Sequence, residues 1–341
     1  MRNPDEENKP IPVRIAYIGG GSRNWAHFLM NDLLLHDGFT GEIRLYDIDP
    51  SMADLNARFG NWLQSHPKAA SKWHYKAVPS LKQALEDADF VFASIQPGSI
   101  ELMKIDLEEP EQYGIYQAVG DTVGPGGSIR SLRAIRDYRV IAEAVAEHAA
   151  DAWVLNFSNP MSVCTRTLFE TFPGIKAFAC CHEVFGTQKM LAKVYSKMTG
   201  EPAPPRQDID INVLGINHFT WIDRAAYNDT DLLKLLSEYI RQPGILRPYS
   251  RQEIEKAKNV YINHYQVTYE LFRRFGVLPA AGDRHLAEFV PWFLTSEDSC
   301  FRWGFCLTPY SFRWQQYSQS PEKFREMMKR REFPEPAWSG E

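Results

Sequence analysis

Ile11 to Ile18 is a short apolar, β-branched run that stops at Gly19-Gly20-Gly21-Ser22, and apolar residues then recur at helical spacing from Trp25 to Leu35. This strand, glycine turn and helix set a rhythm that the next stretches repeat. Further strands are expected over Glu42 to Asp49, Trp73 to Val78, Phe90 to Ile95, Ala152 to Leu155 and Ile175 to Ala179. Between them the pattern predicts helices over Met52 to Ser65, Leu81 to Asp87, Ile129 to Ala149 and Met161 to Phe172, with a glycine-bearing loop from Gly114 to Gly127. Strands that alternate with helices imply a parallel sheet wound on both faces, with its ligand crevice at the carboxyl ends of the strands.

The rhythm changes after Cys181. A helix is expected over Gln188 to Thr199, a proline-bearing hinge at Glu201 to Pro205, and a strand over Ile209 to Leu214. Leu232 to Ile240 and Arg251 to Phe275 read as helices, the second placing Tyr261 and Tyr265 on one face at a spacing of four. Beyond Phe301 no closing element is evident. The expected class is α/β: a doubly wound, Rossmann-type sheet domain over residues 1–182, followed by an α+β domain over residues 183–341.

Composition narrows the function. The 341 residues are 44 % hydrophobic, 24 % charged and 13 % aromatic, with a net charge of −5. No basic stripe is available to neutralise phosphates, so a nucleic-acid partner is not expected. No stretch is long and apolar enough to suggest a membrane span. Met1 to Pro10 is charged and lacks a signal-type apolar core, and five cysteines fit free thiols better than a disulfide framework; a reducing cytoplasm is the expected location.

Two strand ends carry the candidate chemistry. Cys181, His182 and Glu183 follow one apolar run, and Gly215-Ile216-Asn217-His218 ends another, so that Cys181 and His218 are candidate ligands of one divalent ion. Cys180 and Cys181 are adjacent, and only one can face a given pocket. The turn from Gly19 through Gly21 and Ser22 suits a dinucleotide, its glycines letting the backbone approach a pyrophosphate. Asp47, at the end of the second strand, is the expected partner of an adenosine ribose. Packed or capping roles compete at each of these positions.

Taken together, Gly19 to Ser22, Gly120 to Gly127, Asn156 to Pro160, Cys181 to Val184, Gly215 to His218 and Gly282 to Phe289 resemble the family 4 glycoside hydrolases, the NAD- and metal-dependent glycosidases. Within that family Cys-His-Glu-Val looks like the α-galacturonidase subgroup. The resemblance implies a lactate/malate dehydrogenase-like architecture, NAD and usually Mn2+ as cofactors, a small galacturonide substrate, and a homodimer or homotetramer. It implies hydride removal from C3 of the sugar, loss of the C2 proton, elimination at C1, addition of water and return of the hydride. Tyr265 is the expected base, with Tyr261 the alternative, and His182 the expected leaving-group acid. Asp121 and Asp283 match family acids near the substrate, and Asn159 is placed against both sugar and nicotinamide. Glu183 and Asn217 are expected on sugar hydroxyls. Arg284 is the expected partner of the uronate carboxylate, with Arg130 and Arg133 as alternatives. Members usually continue well past this length, so a C-terminal truncation is expected.

Three rival readings predict different outcomes. An α-galactosidase, or an α-glucosidase or α-glucuronidase, of the same family would share the mechanism but not the sugar. A 2-hydroxy-acid dehydrogenase would need no metal and would accumulate NADH. A non-catalytic NAD-binding protein would bind cofactor without turnover, and the abrupt ending after Trp338 is its only support.

Overall fold

A computed structural model describes residues 9–334, so Met1 to Asn8 of the charged N-terminal stretch, and Trp338, lie outside the described residues. The chain divides into two compact units that interleave along the sequence. One comprises the residues up to Ser99, Ser131–Cys180 and those from Ser311 on; the other comprises Ile100–Arg130 and Cys181–Tyr310.

The first unit is built on six strands: β1 (Ile11–Ile18), β2 (Phe39–Tyr46), β3 (Trp73–Ala77), β4 (Phe90–Ala93), β5 (Trp153–Asn156) and β6 (Lys176–Ala179). They pair in the order β3-β2-β1-β4-β5-β6, every neighbour parallel. Both faces are covered, which is why the strands read as unbroken apolar runs. Alternate residues of β1 serve the two sides: Val13, Ile15 and Tyr17 pack with Met30, Ile43 and Phe59, whereas Ala16 and Ile18 pack with Val91, Tyr138 and Val154.

Two expectations change here. The helix expected from Ile129 begins earlier and spans Gly124–His148, so three glycines of the presumed loop form its first turn. The stretch beyond Phe301, which showed no closing element, contains a helix over Tyr310–Arg330 that carries Pro321 inside it. Its Phe324 is buried beside His27 and Phe59, at ring-centroid distances of 3.8 and 5.3 Å.

The second unit holds an antiparallel sheet of β7 (Asp210–Ile216), β8 (Phe219–Tyr227), β9 (Thr230–Asp231) and β10 (Leu278–Pro279), with β8 paired to the other three. Helices Glu183–Thr199 and Leu232–Ile240 contribute Leu191, Val194, Leu232 and Leu236 to a core that also takes Ile222 of β8. A second core gathers Val119, Val267, Leu271, Leu286 and Phe293. The single helix expected over Arg251 to Phe275 is a correction. It is two helices, Arg251–Lys256 and Gln266–Phe275, separated by a segment with Lys258 and Tyr265 at positive φ. Tyr261 and Tyr265 therefore do not share a helix face. Among the described residues no helix is long and apolar enough to cross a membrane.

Candidate active site

In the first unit the glycine turn is fixed by its own packing. Gly19 has φ +89°, and a Cβ there would lie 2.1 Å from the carbonyl oxygen of Ser94; a Cβ on Gly21 would lie 2.8 Å from the Asp47 carboxyl. Only glycine fits the first position. The N–H groups of Gly19 and Gly20 both donate to the Tyr46 carbonyl, Gly21 N–H donates to Asp47 Oδ2 at 2.8 Å, and Ser22 N–H donates to the Gly19 carbonyl. The expected exposure of this backbone to a pyrophosphate is thus narrowed, because these four amides already have protein partners. The Ser22 hydroxyl accepts from Ala26 N–H at 3.3 Å at the start of the helix Trp25–Leu35.

Asp47 accepts from both Gly21 N–H and Asp49 N–H, and burial raises its carboxyl above the usual range. Asn56 holds the turn from beneath, donating to the carbonyls of Gly20 and Ser22 at 2.8 Å each while its Oδ1 meets Nε2 of His27 at 3.0 Å. The strand, close-packed glycine turn, helix and acidic strand end together suit a dinucleotide cofactor. Asn159 follows β5 in this same unit, joined to Pro160 by a cis peptide bond.

The second unit brings together most of the other expected site residues. His182 is the N-cap of the helix Glu183–Thr199, which puts Cys181 just before that helix and Glu183 in its first turn. Burial pushes the Cys181 thiol up to about 11. A bound cation would be needed to hold it as thiolate at neutral pH. His218 stands at the tip of the β7–β8 hairpin, between the paired residues Ile216 and Phe219, and is buried. Burial, and then the neighbouring His285, lower its pKa to about 4, so its ring is neutral at pH 7 and able to ligate.

The tautomer of His218 follows from a proton count. The Thr122 hydroxyl donates to Asp121 Oδ1 at 2.9 Å, and Thr122 Oγ1 also lies 2.9 Å from His218 Nδ1. One hydroxyl has one hydrogen, so Nδ1–H is the donor to Thr122 and Nε2 keeps its lone pair.

Sequence reasoning missed His285. Its ring stacks on that of His218 at 3.9 Å between centroids. Its Nδ1 lies 4.0 Å from Asp121 and its Nε2 3.6 Å from Glu183. Ligand atoms of Asp121, His218 and His285 all fall within 4.8 Å of one another, a donor set of one oxygen and two nitrogens that suits a divalent first-row metal; Cys181 is not in that group. Glu183 joins the motifs: Oε1 lies 3.8 Å from His182 Nε2, and Oε2 accepts from Gly282 N–H at 2.5 Å.

Tyr265 sits at the N-cap of Gln266–Phe275 with φ 58°, a left-handed conformation that a tyrosine seldom adopts. Burial raises its phenol, and the charges of Asp283 and Glu183 raise it further. Tyr265 is thus within electrostatic reach of those two carboxylates, whereas Tyr261 is 52 % exposed and lies beneath the Arg284 guanidinium at 5.2 Å. Asp283 is fully buried, accepts from Thr268 N–H and hydroxyl at 2.9 and 2.7 Å, and is raised by burial to about 6. Arg284 Nη2 donates to the Ala118 carbonyl at 3.2 Å and to the Thr308 hydroxyl. Arg130 is buried in this unit, and Arg133, in the other, donates to the Pro97 carbonyl at 3.3 Å. Glu288, also missed, accepts from the consecutive amides of Val119 and Gly120 at 2.6 and 2.8 Å and so fixes the loop that carries Asp121.

Residues 14–197 match the family 4 glycosyl hydrolase model, and residues 213–335 match the family 4 glycosyl hydrolase C-terminal domain. An alpha-galacturonidase of Thermoanaerobacterium saccharolyticum is 48 % identical over 314 residues, covering 90 % of this chain; the chain spans about two thirds, 66 %, of that relative's length. A solved Bacillus subtilis structure, provisionally called a glucosidase, superposes with a TM-score of 0.88 at 45 % identity, over 97 % of this chain and 74 % of that one. A 6-phospho-alpha-glucosidase from gut microorganisms, crystallised with NAD and Mn2+, shares the fold with a TM-score of 0.73 at 21 % identity, over 94 % of this chain and 71 % of that one. The sequence matches and the fold agree, and the chain belongs to the family 4 glycosyl hydrolases.

Proposed function

We propose that the chain is an α-galacturonide-cleaving glycosidase that works with NAD and a divalent metal, Mn2+ by preference. The observation that carries the reading is the convergence on Glu183: its carboxylate meets His182, His285 and the Gly282 amide, and its charge reaches Tyr265 and Cys181. Three segments distant in sequence thus form one polar centre within the second unit. Alpha-galacturonidases that share 43–48 % identity with this chain support the choice of sugar.

When bound, NAD supplies a reversible hydride acceptor and the metal ion a Lewis acid for sugar oxygens. The residues divide the remaining work. Asp47 takes the adenosine ribose of the cofactor, beside Gly19, Gly21 and Ser22, and Asn159 lies against the nicotinamide and the sugar. Cys181 and His218 would hold the ion, the neutral His218 ring through Nε2. Tyr265 removes the proton from C2. Burial and the nearby carboxylates raise its phenol, so a cation beside it would be needed to make it a base near neutral pH. His182 protonates the leaving oxygen, with Glu183 orienting it. Asp121 and Asp283 are the acidic groups beside the sugar, and Asn217 and Glu183 accept its hydroxyls.

Arg284 is the partner of the uronate carboxylate in this reading, held in place by Ala118 and Thr308. In this reading residues 1–182 supply the cofactor site and 183–341 the catalytic part, except that Ile100–Arg130 groups with the latter and the residues from Ser311 on with the former. A cytoplasmic homodimer or homotetramer completes the reading, and all five cysteines being free is consistent with a reducing compartment.

The test is to incubate protein, NAD+, Mn2+ and reductant with a panel of p-nitrophenyl glycosides and with digalacturonate, following hydrolysis and deuterium uptake at C2 from D2O. Cleavage of galacturonides with exchange is expected. Preference for neutral galactosides would overturn the sugar, and hydrolysis without exchange or NAD would overturn the mechanism.

A further inference from the structure

We infer that Arg23, aimed by Tyr317 of the helix Tyr310–Arg330, is a cofactor-binding residue of this chain and takes the pyrophosphate of the dinucleotide. The inference rests on the NAD-dependent reading above and concerns side chains of the first unit alone.

The need for such a residue comes from the glycine turn. Backbone amides of a turn of this kind ordinarily meet the pyrophosphate. Here the N–H groups of Gly19 and Gly20 go to Tyr46, that of Gly21 to Asp47 and that of Ser22 to Gly19. The phosphate oxygens therefore require a donor from elsewhere. The next residue in the chain is an arginine, whose planar fork matches a phosphate.

Arg23 is held in place, yet most of its donors are not used by the protein. Its side chain is only 18 % exposed. The guanidinium lies 3.6 Å from the centroid of the Tyr317 ring, and Nη1 donates to the Tyr317 carbonyl at 2.7 Å. Asp49 Oδ2 lies 3.8 Å from Nη2, beyond hydrogen-bond range. That carboxylate is engaged elsewhere: Oδ1 accepts from the Ser51 hydroxyl at 2.6 Å and from Met52 N–H at 3.3 Å, capping the helix Pro50–Leu63. Asp47 likewise accepts from the Gly21 and Asp49 amides. A guanidinium carries several N–H donors, so among the described residues one bond to a carbonyl leaves most of the fork for a ligand oxygen.

Tyr317 is the positioning residue. Its helix reaches the turn twice: Phe324 packs on His27, whose partner Asn56 holds Gly20 and Ser22, and Tyr317 covers Arg23. The stretch that showed no closing element thus borders the glycine turn.

The test reads binding by isothermal titration, with NAD, NADP, ADP and adenosine as probes. Arg23→Ala should weaken NAD and ADP roughly 10- to 100-fold, the range for a hydrogen bond to a charged group, and leave adenosine unchanged. Tyr317→Phe, which keeps the ring, should bind as wild type does, whereas Tyr317→Ala should weaken ADP several-fold. Selective loss of ADP separates a lost phosphate contact from a loosened fold, which would weaken adenosine as well. Wild-type ADP affinity in Arg23→Ala, equal losses of ADP and adenosine, or a loss confined to NADP would overturn this inference and leave the proposed function standing. Failure of the wild type to bind NAD at all would overturn both.

Discussion

Acidification should loosen the cofactor-side unit through one residue, His27. This imidazole is buried, and its Nε2 meets Asn56 Oδ1 at 3.0 Å. Its ring packs against Phe59 and Phe324 at 4.9 and 3.8 Å. Burial lowers its pKa from 6.5 to about 4. Between those values the unfolded chain binds a proton that the folded protein refuses, so stability falls as pH drops below 6.5 and has lost most of this contribution by pH 4. At 1.36 kcal/mol per unit the loss is about 2 kcal/mol at pH 5 and about 3 kcal/mol at pH 4.

His27→Gln keeps an N–H donor for Asn56 but cannot titrate. It should be less stable than wild type at pH 7, because ring packing is lost, yet should gain on wild type by about 2 kcal/mol between pH 7 and pH 5. Urea midpoints at both pH values give the comparison. Parallel losses in the two proteins would refute the argument. Because Asn56 also ties down Gly20 and Ser22, acid should weaken NAD binding in wild type before it does in the variant.

Gly21→Ala places a Cβ 2.8 Å from the Asp47 carboxyl and 3.0 Å from Met52 Cβ, so it should cost roughly 1–3 kcal/mol in urea melts and weaken NAD binding by fluorescence titration. Asp47→Asn should narrow the preference for NAD over NADP, measured in the same titration, because the carboxylate that repels a 2′-phosphate is gone. EDTA should abolish hydrolysis and Mn2+ restore it, with Cys181→Ser impaired in that rescue and Cys180→Ser not; full activity in EDTA would remove the metal from the reaction. Tyr265→Phe should lose C2 deuterium uptake while Tyr261→Phe retains it, as followed by NMR in D2O.

The parallel sheet was legible because its strands are buried on both faces. Runs such as Ile11–Ile18 and Phe90–Ala93 carry apolar residues toward two cores, and the breaks between them fall at glycine or polar turns. The helix Tyr310–Arg330 was not legible for the opposite reason. Among its residues only Phe324 is buried, and the surrounding Arg, Gln, Ser and Glu leave a weak apolar stripe that Pro321 interrupts. The misread Arg251 to Phe275 had local warnings. Asn259 and Asn263 accept from the amides of Tyr261 and Tyr265 two residues on, a turn chemistry that competes with a continuous helix.

The chemistry of the site was legible only where it obeyed a strand-end rule. Cys181 and His218 each follow an apolar strand, so a reader of runs finds them. His285 follows no such run: it lies in the four-residue helix Asp283–Leu286, and its sequence neighbours Asp283 and Arg284 are engaged by Thr268, Ala118 and Thr308. Nothing local distinguishes it from a packing histidine. What singles it out is a distant carboxylate, Glu183, which faces one nitrogen while a second, Asp121, faces the other. Glu288 was invisible for the same reason, since a carboxylate that accepts from Val119 and Gly120 acts through a contact between segments far apart in sequence. Candidate groups at the ends of elements can be picked out from periodicity alone. Groups that would aim them are fixed by tertiary proximity, as Glu183 and Glu288 are here.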